Sequence, residues 1–269
     1  MTIRETPVGT RGETRVHATA LVDTAAELGE GVTVGPWAII GPRVRVGAGT
    51  EVGPRVLIEK DTIVGEDCRL ANGAVLGTDP QDLKYKGEHS TLEVGDRTVV
   101  REFATLNRGT AASGRTVVGT DCLLMAYTHV AHDCVIGNHV VLANSVNMGG
   151  HVLIEDWVIV GGLTPIHQFV RIGAHAFVGG GSRVPQDVPP YCRAAGNPLR
   201  LFGLNTVGLE RRGLSEETRR ALKQTYRLLF QGTEILSDAL DRAELEVVRI
   251  PEVKHLIQFV RSSERGVTT

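Results

Sequence analysis

The sequence predicts a mainly β protein: a parallel β-helix built from hexapeptide repeats, followed by an α-helical C-terminal domain. Three observations carry that prediction. Every sixth residue from Val16 to Val184 is Val, Ile, Leu or Met at 26 of 29 positions, and the frame returns in phase after its misses at Asp82, Glu88 and Ala112. Gly follows many of these aliphatic residues, as in V-G-P-W-A-I, I-G-P-R-V-R and V-G-E-D-C-R. Beyond Val184 the period stops and a helical pattern replaces it. A six-residue apolar period fits neither an amphipathic helix nor an alternating strand. It fits a coil of three short flats, each sending one aliphatic side chain inward, and so short a fixed period sets the architecture. The Gly that follows is assigned to a corner conformation that costs a residue with a Cβ energy.

Three hexads close one coil, so residue n stands beside residue n+18 on the next coil, about 4.8 Å away. Each strand is then paired above and below, which confines the exposed β-edge to the ends. Crossovers between parallel strands are normally right-handed. Hexapeptide repeats resemble the left-handed parallel β-helix, the exception, and that resemblance supplies the hand.

The chain divides into an N-terminal extension (1–15), the coil (16–190) with loops near 77–93 and 108–117, and a helical domain (191–269). The loops must leave the prism, because Asp82 and Glu88 cannot sit unpaired on an aliphatic axis. Loops on a rigid scaffold are favoured places for binding groups. In the tail, Ser215 caps a helix stopped by Gly232, Thr233 caps a second to about Val247, and Pro251 opens a third. Asn205 caps a short turn carrying Arg211 and Arg212.

A formal charge of −2 gives no general attraction to nucleic acid or an anionic membrane. The first 15 residues hold no apolar signal core, and no apolar run is long enough to span a bilayer. The reading is a soluble cytoplasmic protein. Cys68, Cys122 and Cys134 fall where other repeats carry small residues, and no C-x-x-C pair exists, so the cysteines are core residues and not ligands.

The histidines carry the chemistry. By the 18-residue rule His132, Gly150 and Gln168 form one column, and Asp133, His151 and Phe169 its neighbour. A His beside an Asp, facing a Gly one coil on, offers a proton acceptor and an exposed backbone N–H. Those are the minimum parts for acyl transfer. His139 and His175 are read as decorating outer corners. The competing reading is metal: three histidines on neighbouring coils could ligate zinc, as in the γ-class carbonic anhydrases that share this repeat. The spacing H-x-x-H-D would leave surplus histidines unexplained. Gly162 and Gly180 form a third column, a smooth strip where an extended alkyl chain could lie.

Q-D-L-K-Y at 81–85, H-V-A-H-D-C at 129–134, G-G-H at 149–151, H-Q-F at 167–169, Q-D-V-P-P-Y at 186–191 and G-L-E-R-R-G at 208–213 carry a specific resemblance. The chain resembles the acyl-ACP–UDP-N-acetylglucosamine O-acyltransferase family, which catalyses the first step of lipid A synthesis. The resemblance implies His132 as general base on the glucosamine 3-position, Asp133 as its support, and the Gly150 N–H as oxyanion donor. It implies that Asp82, Lys84, His129, His151, His167 and Gln168 line the substrate site, with Asn205, Arg211 and Arg212 at the nucleotide end. Gly180 matches a position that limits chain length in the family, implying a 3-hydroxyacyl chain of about fourteen carbons. It further implies acyl carrier protein and UDP-N-acetylglucosamine as partners and a homotrimer with sites between prisms, without a metal or other cofactor.

Two positions depart from the family. Asn107 stands where a sugar-contacting His is usual, and Val207 where a Glu is usual. They leave open a 3-amino sugar as acceptor. The nearest rival, the N-acyltransferase acting later in the same pathway, carries a large N-terminal uridine-binding domain that 15 residues cannot supply. Arg171, Arg193, Arg200, Arg219 and Arg220 are candidates to meet the acidic carrier protein.

Overall fold

A computed structural model describes residues 12–248 and 250–269; most of the expected extension, residues 1–11, lies outside the described residues. The chain is a left-handed parallel β-helix followed by helices. Among the described residues its strands form three sheets of eleven, eight and eight, which are the three faces of a prism. Strands beginning at Arg15–Val16, Leu21–Val22 and Glu27–Leu28 start the first, second and third faces, and each strand pairs with the one a coil later.

The register is the predicted one. Arg15 pairs with Thr33 and Leu21 with Ile39, 18 residues apart. At the two interruptions the step lengthens, Thr62 and its neighbours facing Leu92 and theirs, and Thr105 facing His129; the 18-residue step then resumes. Frame residues such as Ile40, Ile58, Leu106 and Ile136 are at most 1% exposed. The residue two places before each frame position also points inward, and Cys68, Cys122 and Cys134 are of this kind. Burial pushes the thiols of Cys122 and Cys134 up, to about 11 and about 12, so they serve as small core groups.

The role assigned to the glycines is corrected. The left-handed corner conformation falls three residues after the frame position, at Trp37 (φ 62°), Arg55 (φ 54°), Asp133 (φ 59°) and His151 (φ 61°) among others. The glycine that directly follows the frame residue serves close approach instead. A β-carbon on Gly47 would stand 2.5 Å from the Gly65 carbonyl carbon on the next coil. Tight stacking, not backbone freedom, selects glycine there.

The coil ends in a hairpin rather than in helix. Cys192–Ala195 extends the first face in parallel and Arg200–Leu204 pairs with it antiparallel. Cys192 and Ala194 are fully buried and so close the core, and helix begins only after it. Helix α1 (Thr206–Arg211) is capped by Asn205, whose side-chain oxygen accepts from the Gly208 N–H. Helix α2 (Glu216–Phe230) is capped by Ser215, as expected, and closes on Gln231, with Gly232 the first residue beyond the cap. Helix α3 (Leu236–Glu246) starts after Ile235 with no side-chain cap, so Thr233 is not its cap. Its phase is set by Ala239, Leu240 and Ala243, which enter the helical core. Helix α4 (Pro251–Arg261) opens on Pro251. No helix among the described residues is long and apolar enough to cross a membrane.

His175 is more than corner decoration. The corner residues between the third and first faces stack as rings: His139 on Trp157 at 3.8 Å, Trp157 on His175 at 6.2 Å and His175 on Tyr191 at 5.7 Å. The prism therefore carries an aromatic spine at its C-terminal end, against which α4 docks through the Tyr191–His255 hydrogen bond of 3.0 Å.

Candidate active site

One edge of the prism, between the second and third faces, collects most of the candidate chemistry. Strands Val75–Thr78, Thr105–Asn107, His129–Val130, Asn147–Met148 and Pro165–Ile166 are consecutive on the second face. After them come, in the same order, the first loop, the second loop, His132–Asp133, Gly150–His151 and Gln168–Phe169. The period places the loops next to the His132 corner; their sequences alone do not.

His132 Nδ1 lies 2.8 Å from Asp133 Oδ2. An ionised carboxylate only accepts, so Nδ1 carries the proton and Nε2 is left as the basic nitrogen. The Asp133 side chain is fully buried and that of His132 is 13% exposed. Burial would raise the Asp133 carboxyl, but hydrogen bonds from Ser113, the Thr110 N–H, His132 and the Thr110 hydroxyl outweigh it and bring the group down to about 2. The Thr110 N–H donates at 2.9 Å and its hydroxyl at 2.7 Å; Ser113 Oγ makes a short contact with Oδ1. The Asp133 N–H in turn donates to Thr116 Oγ1 at 2.9 Å.

Gly150 stands over the imidazole. A β-carbon there would lie 2.7 Å from His132 Nε2, so no other residue fits beside the ring in this position. The Gly150 N–H donates to no backbone acceptor among the described residues, while its carbonyl accepts from the Phe169 N–H at 3.1 Å. His151 packs edge-on to His132 with ring centres 5.2 Å apart, lies flat on Phe169 at 4.5 Å, and brings Nε2 to 3.7 Å from Asp133 Oδ2. His129 bonds Thr105 Oγ1 at 2.7 Å, and burial, then the neighbouring His132, lower its pKa.

The atoms of His132, Asp133 and His151 that resemble metal ligands lie within 4.8 Å of one another. The carboxylate already receives four donors and has no lone pair left for an ion. The cluster suits proton transfer better than zinc ligation.

The remaining candidates spread over the molecule. His167 and Gln168 are exposed on the same edge, His167 Nδ1 lying 3.1 Å from the Gln168 carbonyl. Asp82 and Lys84 sit two coils away in the first loop, where Asp82 Oδ1 accepts from the Lys84 N–H at 3.0 Å. Gly162 and Gly180 lie on the edge between the first and second faces, and a β-carbon on Gly180 would meet the Gly162 carbonyl oxygen at 3.2 Å. Asn205 and Arg212 lie at the edge between the third and first faces. Asn205 Nδ2 donates to the His175 carbonyl at 2.9 Å, and the Arg212 guanidinium lies 5.3 Å from the Trp157 ring centre. Asn205 and Arg211 also line a cleft of about 800 Å³ between the first face and α2, together with Val207, Arg193, Arg219 and Arg220. Arg171, in contrast, reaches α4: it bonds the Ser262 carbonyl at 3.0 Å and covers the Phe259 ring at 4.2 Å. It straps the helical domain to the coil.

Three residues were missed from sequence. Thr110 and Ser113 hold the carboxylate of Asp133. Arg108, 1% exposed, donates to the Gly77 carbonyl at 2.6 Å and to Tyr85 Oη at 3.1 Å, and pairs with Asp79, pinning the base of the first loop. Their signal was positional. All three follow Leu106, one coil before the His132 corner.

A hexapeptide β-helix carrying a buried His–Asp pair against a bare glycine defines a transferase of the hexapeptide class. Residues 25–60 and 115–150 match the bacterial transferase hexapeptide family, and residues 187–268 match the second domain of UDP-N-acetylglucosamine O-acyltransferase. The acyl-[acyl-carrier-protein]–UDP-N-acetylglucosamine O-acyltransferase of Chlorobaculum parvum is 57% identical, over 93% of this chain and 96% of its own length. Its counterpart in Myxococcus xanthus is 50% identical over 94% and 99%. The crystal structure of LpxA from Acinetobacter baumannii superposes with a TM-score of 0.92 at 41% identity, covering 94% of this chain and 99% of that one. The chain belongs to the acyl-[acyl-carrier-protein]–UDP-N-acetylglucosamine O-acyltransferase family.

Proposed function

We propose that this enzyme transfers a 3-hydroxyacyl chain from acyl carrier protein to the glucosamine 3-position of UDP-N-acetylglucosamine, the entry step of lipid A synthesis. The observation that carries the reading is the His132–Asp133 pair facing Gly150. His132 Nε2 takes the proton of the 3-hydroxyl as its oxygen attacks the thioester carbonyl carbon. The Gly150 N–H stabilises the oxyanion that forms. Collapse breaks the C–S bond, and the departing thiolate takes the proton back from the imidazolium. Asp133 holds the tautomer and stabilises the charged ring. Asp82, Lys84, His129, His151, His167 and Gln168 line the sugar and acyl site, and Asn205, Arg211 and Arg212 meet the nucleotide.

The placement of these groups supports a homotrimer. Gly162 and Gly180 lie on one border of the first face and Asn205 with Arg212 on its other border, while His132 lies on the opposite edge. A neighbouring prism that sets its first face against the His132 edge brings all three sets together.

A second reading is an amine acceptor, favoured by Asn107. Its Nδ2 is committed to Thr78 Oγ1 at 2.7 Å and the Asp79 carbonyl at 3.0 Å, and its buried Oδ1 has no hydrogen-bond partner among the described residues. Asn107 thus stands, one coil from the base, where a sugar-contacting His is usual in the family. Proton removal by His132 is the same in either reading.

The test pairs ten-, twelve- and fourteen-carbon 3-hydroxyacyl carrier proteins with UDP-N-acetylglucosamine and its 3-amino analogue. Acylation of UDP-N-acetylglucosamine is expected, with the longest donor preferred. Acylation of the amine alone establishes the second reading, and turnover of neither acceptor overturns both.

A further inference from the structure

We propose that Ser113 and Thr110, on the loop that interrupts the coil after Arg108, are positioning residues that set the strength of the His132 base by saturating the Asp133 carboxylate. The proposal rests on His132 being the base.

A carboxylate offers about four lone-pair sites. On Asp133 all four are filled: Oδ1 by Ser113 Oγ and the Thr110 N–H, Oδ2 by the Thr110 hydroxyl and His132 Nδ1. Three of the four donors come from one loop, so the interruption of the repeat is itself the clamp. The loop is also held in place: the Ala111 N–H donates to Glu88 Oε1 at 3.2 Å, and the Ala112 N–H to Thr110 Oγ1 at 3.2 Å. Glu88 belongs to the first loop, so the two interruptions brace each other.

The clamp has a chemical consequence. A carboxylate with a single donor would give its whole charge to the imidazole and hold the proton on it. With three further donors the charge is shared, so the ring is oriented while its grip on the proton is moderated. The other titratable groups facing the pair are His151 on the next coil, His129 on the preceding strand and Cys134 beside Asp133. None of them donates to the carboxylate within 3.5 Å. The hydroxyls of Ser113 and Thr110 are therefore the adjustable part of the setting.

The test compares pH profiles of kcat/KM for Ser113→Ala, Ser113→Thr, Thr110→Val and His132→Ala in the full-length enzyme. Losing a hydroxyl concentrates charge on the bond to His132, so the acidic limb moves to higher pH. We expect kcat/KM to fall about three- to tenfold near pH 6 and to recover above pH 8.5, with KM little changed. Ser113→Thr restores the original limb. Thr110→Val keeps the shape and the backbone donor and carries the same expectation should Ser113→Ala not fold. Profiles that superimpose on the unmodified enzyme, or that drop equally at every pH, overturn the proposal. Failure of the underlying reading looks different: His132→Ala retains turnover. In that case the NMR titration of the His132 ring still decides, since the clamp predicts an upward shift in Ser113→Ala and its absence refutes it.

Discussion

Gly150 lies against the face of His132, one coil away, so closely that a β-carbon on it would stand 2.7 Å from Nε2 and 3.0 Å from Nδ1. The basic nitrogen of His132 and the Gly150 N–H, which has no backbone acceptor among the described residues, are thus placed by the same 18-residue step that builds the prism. Neither needs a dedicated loop.

Gly150→Ala tests that contact. The methyl group keeps the N–H but pushes the imidazole away from its position over the coil. Misplacement by about 1 Å can cost on the order of a hundredfold in turnover. We expect kcat to fall by about that factor while the fold, followed by circular dichroism, stays intact. Unchanged kcat would mean that the ring position is not critical.

Arg108 tests the loop anchor. It is buried and serves the Gly77 carbonyl, Asp79 and Tyr85 at once. Replacement by Leu leaves these partners unmatched at a cost of about 2–4 kcal/mol. A thermal midpoint lowered by several degrees is expected, with a raised KM for the sugar nucleotide, because the first loop carries Asp82 and Lys84 of the proposed sugar site. An unchanged midpoint would show that the loop holds itself.

His175 gives a pH signature. Burial, then the charge of Arg212, push its pKa down to about 4, and its Nδ1 has no hydrogen-bond partner among the described residues. Between pH 6.5 and 4 the unfolded chain takes up this proton and the folded chain does not, so stability is fully present above pH 6.5 and is lost as pH falls toward 4. Allowing for its partial exposure, the effect is about 1–2 kcal/mol. His175→Phe preserves the ring stack and should flatten the denaturant midpoint over this range. A slope as steep as in the unmodified protein would assign the effect to other histidines.

Gly180→Met tests the acyl strip. The added side chain projects from the edge beside Gly162, and preference should move toward shorter donors in competition assays. An unaltered chain-length profile would remove Gly180 from the groove.

The prism was legible because its period is redundant: over two dozen aliphatic positions agree, and three failures cannot hide the frame. The columns His132–Gly150 and Asp133–His151 were legible for the same reason, since a fixed step turns sequence distance into spatial position. The glycine rule was misread because composition shows where glycine occurs, not which atom would collide there; Gly47 and Gly150 are selected by neighbours one coil away. Thr110, Ser113 and Arg108 were not legible because they follow a break in the frame. Once the chain leaves the coil, its hydroxyls and guanidinium can return to any corner, and only coordinates say that they return to Asp133 and Asp79. The last parallel strand, Cys192–Ala195, was not legible either, since it extends the first face without the six-residue signature.

The most direct test of the account is acyl transfer by His132→Ala, assayed with a fourteen-carbon 3-hydroxyacyl carrier protein and UDP-N-acetylglucosamine. Loss of a general base typically removes about 10²–10⁴-fold in rate. The account predicts a fall in kcat in that range with the fold preserved. Turnover close to that of the unmodified enzyme would contradict it.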